Sequence, residues 1–239
     1  MTLSDPVICI AGWWLAFAFT HMVLSSSMVR PGLVARLGEG PFAGLYSLVA
    51  LACFIPLVRS YFTNKHAGPW LWSLAMGPAL EWAVYIGMGA ALVLVVAGLA
   101  TPSPAMSVGA SNKEPAGVLL LTRHPVFMGI GLFGFLHLLP NGAAADLAFF
   151  GGFPLFAVIG ARHQDHRKMV DGPHGYASFC EQTPFLPFTG GRTIEGIRGI
   201  HRVVVLLGIS TTLLLRHFHA AWFGGGRRTS RSLPRPVRA

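Results

Sequence analysis

The chain is a succession of long apolar runs separated by shorter polar ones. The apolar runs cover residues 6–27, 41–62, 80–100, 119–140 and 144–160, with a last one over 201–222. Each is near the ~20 residues that a helix needs to cross ~30 Å of hydrocarbon. The pattern predicts an all-α fold, a polytopic transmembrane helical bundle of five or six spans. The count turns on the last run, whose most apolar part, Val203 to Leu215, is short and is followed by Arg216 and His217; it either spans or lies partly in the interface. Residues 1–224 then form one transmembrane domain, and 225–239 a basic disordered tail.

Local signals place the helix ends. Pro125 suits a helix start but not a helix middle, so the fourth span begins there and leaves Arg123 and His124 at a membrane surface. Asn141-Gly142 marks a tight turn before the fifth span, and Glu81 sits in the first turn of the third, where a carboxylate suits the helix dipole. The linker from Thr63 to Ala79 carries Trp70 and Trp72 at headgroup depth. Residues 161–200 form the longest polar region. They open Arg162-His-Gln-Asp-His-Arg-Lys168 and close on prolines and aromatics up to Phe188, which predicts an ordered lid on the membrane surface.

Composition sharpens the picture without changing it. With 53% hydrophobic and 11% charged residues the chain is too apolar for one soluble domain. The net charge of +9 lies between spans and in the tail, where it meets lipid headgroups, and no basic face with interleaved aromatics argues for nucleic acid. Apart from the tail, cations concentrate in the loops after spans one, three and five (Arg30, Arg36, Lys113, Arg123, Arg162, Arg167), which favours an external N-terminus. No Lys or Arg precedes the first run and no cleavage pattern follows it, so the first span is expected to be retained. Cys9, Cys53 and Cys180 lack metal spacing and read as small hydrophobes or free thiols.

The candidate chemistry lies with two histidines inside predicted spans, His21 and His137. Three residues before each stands a small side chain, Ala18 and Gly134, on the same helix face. Two readings are open. In one, the imidazoles ligate haem iron beside these notches, with propionates seeking Arg30, Arg123 or Arg162. In the other, each histidine makes an interhelical hydrogen bond and the small residues merely let helices approach. Simple antiparallel threading counts against a shared haem, because it sends His21 and His137 towards opposite surfaces. Elsewhere, His163, Asp165 and His166 have a spacing that a metal could use but read first as a solvated polar run. His124 either caps its helix or holds an anion there. No phosphate-cradling loop, nucleophile elbow or paired catalytic carboxylates occur.

Several segments together resemble the NnrU family of bacterial membrane proteins: Phe19-Thr-His21, Arg36-Leu-Gly-Glu-Gly-Pro-Phe, Arg123-His-Pro, Leu136-His-Leu-Leu-Pro-Asn-Gly142, Asp165-His-Arg-Lys168, Thr183-Pro-Phe-Leu-Pro-Phe188 and His219-Ala-Ala-Trp-Phe-Gly224. The resemblance implies an integral protein of the bacterial inner (cytoplasmic) membrane that supports respiratory nitrogen-oxide redox chemistry, in contact with lipids and with a redox partner or larger complex. The family is related to plant 15-cis-ζ-carotene isomerase, a haem b protein, whose two haem histidines fall in the segments matching His21 and His137. That implies haem b as cofactor and an isomerase-like reaction on a polyene as an alternative; a non-catalytic accessory subunit is a further one. The isomerase has a cysteine where Gly134 stands here, so its thiolate-for-imidazole exchange has no counterpart. A fainter similarity to isoprenylcysteine carboxyl methyltransferases rests on Arg123-His-Pro and the Gly175 to Pro187 stretch. The paired glutamates of those enzymes are replaced by Arg162-His-Gln-Asp-His.

Overall fold

The computed structural model describes residues 5–105, 114–171 and 175–224. The basic tail and Lys113 lie outside the described residues. Within them the regular structure is helical, with an isolated antiparallel bridge between Trp70 and Ala143. The order is α1 (Asp5–Ser25), α2 (Arg30–Leu37), α3 (Glu39–Thr63), α4 (Pro78–Ala100), a 3-10 turn (Gly117–Leu120), α5 (Pro125–Leu138), α6 (Ala144–Phe150), α7 (Gly152–Asp171), α8 (Tyr176–Gln182), α9 (Thr193–Gly199) and α10 (Arg202–Phe223). Five segments are long and apolar enough to cross a bilayer: Pro6–Ser25, Glu39–Thr63, Pro78–Ala100, Ala144–Asp171 and Arg202–Phe223. Their exposed faces carry Leu15, Phe19, Leu48, Ile86, Leu99 and Leu206, as a lipid-facing surface requires. The chain is an integral membrane protein.

The fourth span departs from expectation. It was predicted over 119–140, but α5 has 14 residues, about 21 Å at ~1.5 Å per residue, and the 3-10 turn stands before it. Surface segments close over its two ends. At the start, Thr122 Oγ1 donates to Phe185 O at 2.6 Å and the Arg123 amide to Pro184 O at 2.9 Å. At the far end, the Trp72 indole N–H donates to Leu138 O at 2.9 Å and the Asn141 amide group to His137 O at 2.8 Å, filling carbonyls that a helix end leaves open. The Thr63–Ala79 linker, largely exposed, reaches the end of α5 through Trp72.

Small residues let this helix sit centrally. A Cβ on Gly129 would lie 2.6 Å from Ala91 O of α4, and one on Gly131 3.0 Å from Ala157 Cβ of α7. The fifth span also differs from its predicted 144–160 extent: it breaks at Gly151, then continues as α7 to Asp171. Gly152 lies directly under the Trp14 indole, leaving no room for a side chain. Much of the polar stretch after Ala161 is therefore a helix extending past the apolar layer, with α8 and α9 completing the surface region expected over 161–200.

Packing fixes the helix directions. Trp14 faces Phe153 (centroids 4.9 Å), Phe17 faces Phe156 (5.0 Å), and Ser25 Oγ meets His163 Nε2 at 3.2 Å, so α1 and α7 run parallel. Gly134 abuts Phe150 and Phe153, Gly131 abuts Ala157, and Gly160 abuts Phe127, so α5 runs antiparallel to α7.

Candidate functional site

His21 lies one turn before the end of α1. Its ring contacts Phe17 (5.1 Å), Tyr46 (4.4 Å) and Phe156 (5.5 Å), while the Tyr46 hydroxyl donates to the His21 carbonyl at 3.3 Å. The buried Nδ1 has no hydrogen-bond partner. A neutral imidazole carries one donor and one acceptor nitrogen, and leaving a buried one unmet costs about 1–3 kcal/mol. Such a ring is suited to a ligand. Ala18, one turn earlier, is half-buried. Above it, where α1 ends, lie Arg30 of α2 and Arg167 and Lys168 of α7.

His137 has a different arrangement. Its Nδ1 donates to Phe133 O at 2.9 Å, which selects the tautomer that leaves Nε2 as an acceptor, as second-shell bonds to metal-ligating histidines do. The ring stacks on Phe150 (4.6 Å), and the imidazole it faces is His219 of α10 (6.4 Å). The notch at Gly134 is filled: a Cβ there would be 2.5 Å from both Phe150 O and Phe153 Cβ. It serves helix contact, not an approaching ring.

The structure does not bring His21 and His137 together. Measured along α7, His137 stands level with Phe150, and His21 between Phe156 and the Ser25–His163 contact. That offset of at least six residues amounts to about 9 Å or more of helix rise. Two imidazoles on one iron need their nitrogens about 4 Å apart, twice a ~2 Å metal–imidazole bond. The interval is occupied by Trp14, Phe17, Phe153 and Phe156, in edge-to-face and tilted ring contacts. A single haem ligated by both rings does not fit this packing, whereas each ring alone keeps an unused nitrogen.

A second constellation centres on Asp165. Its carboxylate accepts from Arg123 Nε (3.0 Å) and Nη2 (2.9 Å), His124 Nε2 (2.7 Å) and the Tyr176 hydroxyl (2.6 Å). Arg123 also donates to Thr183 O at 2.9 Å and lies over the Phe185 ring, as does Arg162. His124 is 3% exposed. These groups satisfy one another, so Arg123 is committed to Asp165 rather than free for an anion; His124 stands at the N-cap of α5, and its side chain is bonded to Asp165 instead of to the helix amides. Burial first, and then the bond to Asp165, hold the Tyr176 hydroxyl above its ordinary range. His163 turns to Ser25 and His166 is exposed, so the His163, Asp165 and His166 spacing does not converge on a metal. Among the described residues no three His, Cys, Asp or Glu side chains are grouped for one.

Sequence reasoning missed Tyr176 as the partner of Asp165, and it missed Asp146 altogether. Asp146 is fully buried and accepts from the Tyr61 hydroxyl (2.9 Å), His66 Nδ1 (2.9 Å) and the Ala143 amide (3.1 Å). An acidic residue three places into a helix after a turn is a capping signal, and it was available in Ala143-Ala-Ala-Asp146.

A family model described as NnrU protein matches residues 9–225 of the chain. The chain belongs to the NnrU family. No curated protein and no solved structure matches it. The NnrU match extends from α1 through Gly224 and includes both the surface helices and α10, so membership covers the bundle as a whole.

Proposed function

We propose that this NnrU-family protein is a haem b protein of the bacterial inner membrane that supports respiratory nitrogen-oxide redox chemistry, with His21 as an axial ligand. The observation that carries the reading is the buried Nδ1 of His21 without a partner, in an aromatic pocket below a cationic turn. When bound there, haem would supply one-electron chemistry. The protein's own part is to exclude water with Phe17, Tyr46 and Phe156 and to hold the His21 backbone through Tyr46. His137, with its tautomer set by Phe133, keeps Nε2 as an acceptor, but the packing does not let it share an iron with His21.

The isomerase-like alternative lacks a supporting feature: at Gly134 the contact with Phe150 and Phe153 leaves no space for a thiol. An accessory role in a larger complex would rest on the apolar faces of α3 and α10, which lipid also covers.

The test is a spectrum of protein expressed with a haem supply. A Soret band with the high-spin spectrum of a haem held by one histidine is expected. His21→Ala abolishes it, whereas His137→Ala, which stands apart from that iron, leaves it. A colourless parent protein, or an unchanged spectrum in His21→Ala, would overturn the assignment.

A further inference from the structure

Above His21, where α1 ends, Arg30, Arg167 and Lys168 converge, and Arg167 has no carboxylate beside it among the described residues. Arg167 is one turn beyond His163 on the same face of α7, and His163 touches Ser25 in the last turn of α1. The Arg167 guanidinium therefore lies against the α1–α2 turn, and Arg30, Tyr46 and Tyr176 are near enough to interact with it. Arg167 is 8% exposed and Lys168 9%. Among the described residues no carboxylate comes within 4 Å of Arg167; Asp171, exposed one turn on, acts from further away. The ion pair of Arg30 is a long one, 3.9 Å to a well-exposed Glu39. Removing a guanidinium from water without a counter-charge is costly, so such a residue persists where an anion completes its surroundings.

Two further observations point to the same place. Ser27, inside the turn, has a buried hydroxyl oxygen with no hydrogen-bond partner. The turn leads into α2, whose N-terminus receives no side-chain cap; the Arg30 amide is taken by Ser26 O and Pro31 has none, so the positive end of the helix dipole, rather than free amides, faces the turn. A hydroxyl donor, the positive end of α2, and Arg30 and Arg167 together form a receptor for an oxyanion. Its position, where a membrane-spanning helix ends, is the depth of lipid headgroups.

We propose that the α1–α2 turn, with Arg30, Ser27 and Arg167, is an oxyanion site that takes the phosphate of an anionic phospholipid. The site stands whether or not haem binds at His21.

The experiment measures thermal unfolding of the full chain in mixed micelles containing phosphatidylglycerol, phosphatidylcholine, or phosphatidylcholine with inorganic phosphate at matched ionic strength. Native mass spectrometry of the same samples counts retained lipid. Phosphatidylglycerol is expected to raise the midpoint and to be retained in preference to phosphatidylcholine. In Arg167→Gln the lipid's apparent affinity should fall about tenfold or more, the loss of one charge-assisted contact. Arg30→Gln should show the same direction and serves as the readout if Arg167→Gln does not fold. Arg36→Gln, exposed further along α2, should leave lipid retention unchanged. Equal effects of the two lipids, or equal loss in Arg36→Gln, would overturn the site. If inorganic phosphate reproduces the whole effect, or haem loading erases it, the lipid assignment falls. A colourless protein that still discriminates between the lipids would separate this site from the haem reading.

Discussion

Replacing Asp165 tests how the surface region is fastened to the bundle. The carboxylate serves Arg123, His124 and Tyr176 at once, with the His124 side chain 1% exposed and those of Arg123 and Asp165 15%. Asp165→Ala would strand a guanidinium, an imidazole and a phenol. Removing one partner of a buried pair costs about 3–5 kcal/mol, and the Tyr176 bond alone about 1 kcal/mol. These losses share one acceptor and will not add, so the expected total is about 3–5 kcal/mol. For a chain of this length, at ~2–4 °C per kcal/mol, the unfolding midpoint should fall by about 6–20 °C. The assay is far-UV circular dichroism on heating in detergent. Asp165→Asn, which keeps an acceptor oxygen, should fall between parent and alanine variant. Asp171→Ala, exposed at the end of α7, should change little. Tyr176→Phe should cost about 1 kcal/mol in the parent and nothing further in Asp165→Ala. An unchanged midpoint in Asp165→Ala, or additive losses in the double variant, would refute the shared-acceptor argument.

Other outcomes follow from single contacts. Because the Tyr176 hydroxyl is held above its ordinary range, the folded state keeps that proton while the unfolded chain releases it above about pH 10. Its contribution is complete below that pH and is lost as pH rises further, and a pH series of midpoints should fall less steeply in Tyr176→Phe. Gly129→Val sets a branched side chain against Ala91 O and Val95 and should destabilise by at least the ~1–3 kcal/mol of an overpacked core, or prevent assembly, read by detergent-resistant folding yield. Tyr61→Phe removes one donor from buried Asp146 and should lower stability by about 1–3 kcal/mol, again by thermal midpoint.

The apolar runs located most of the spanning helices to within a few residues, because hydrocarbon imposes its length on whatever crosses it. The runs at 6–27, 41–62, 80–100 and 201–222 became α1, α3, α4 and α10. The boundary errors share a cause: apolarity marks the membrane, not the helix. Ala161 to Asp171 is polar and helical, held by Asp165 and by the Ser25–His163 contact rather than by lipid. Conversely, Leu119 to His124 is largely apolar yet outside α5, because Pro125 sets the helix start and Thr122 bonds into the Pro184–Phe185 segment. His21 and His137 could be picked out as unusual within spans, and antiparallel threading already sent them towards opposite surfaces; the size of the offset could not be read, since it depends on how α1 lies along α7. Partners far along the chain, such as Tyr176 for Asp165, leave no local periodic signal.

The brevity of α5 bears on how the protein is made. A segment of 14 residues, with Arg123 and His124 at its threshold, is a weak candidate for entering a bilayer unaided. Its stable place depends on α4 behind it and α7 after it, which meet Gly129, Gly131 and Gly134, and on Trp72 and Thr122 closing its ends. Biogenesis must therefore wait: a nascent chain released near residue 140 would leave α5 unsettled, and synthesis of the following hairpin would draw it into position. Glycosylation-site or protease mapping of truncated chains, in steps from residue 140 to 171, would reveal that delay as a topology that settles only once α7 has emerged.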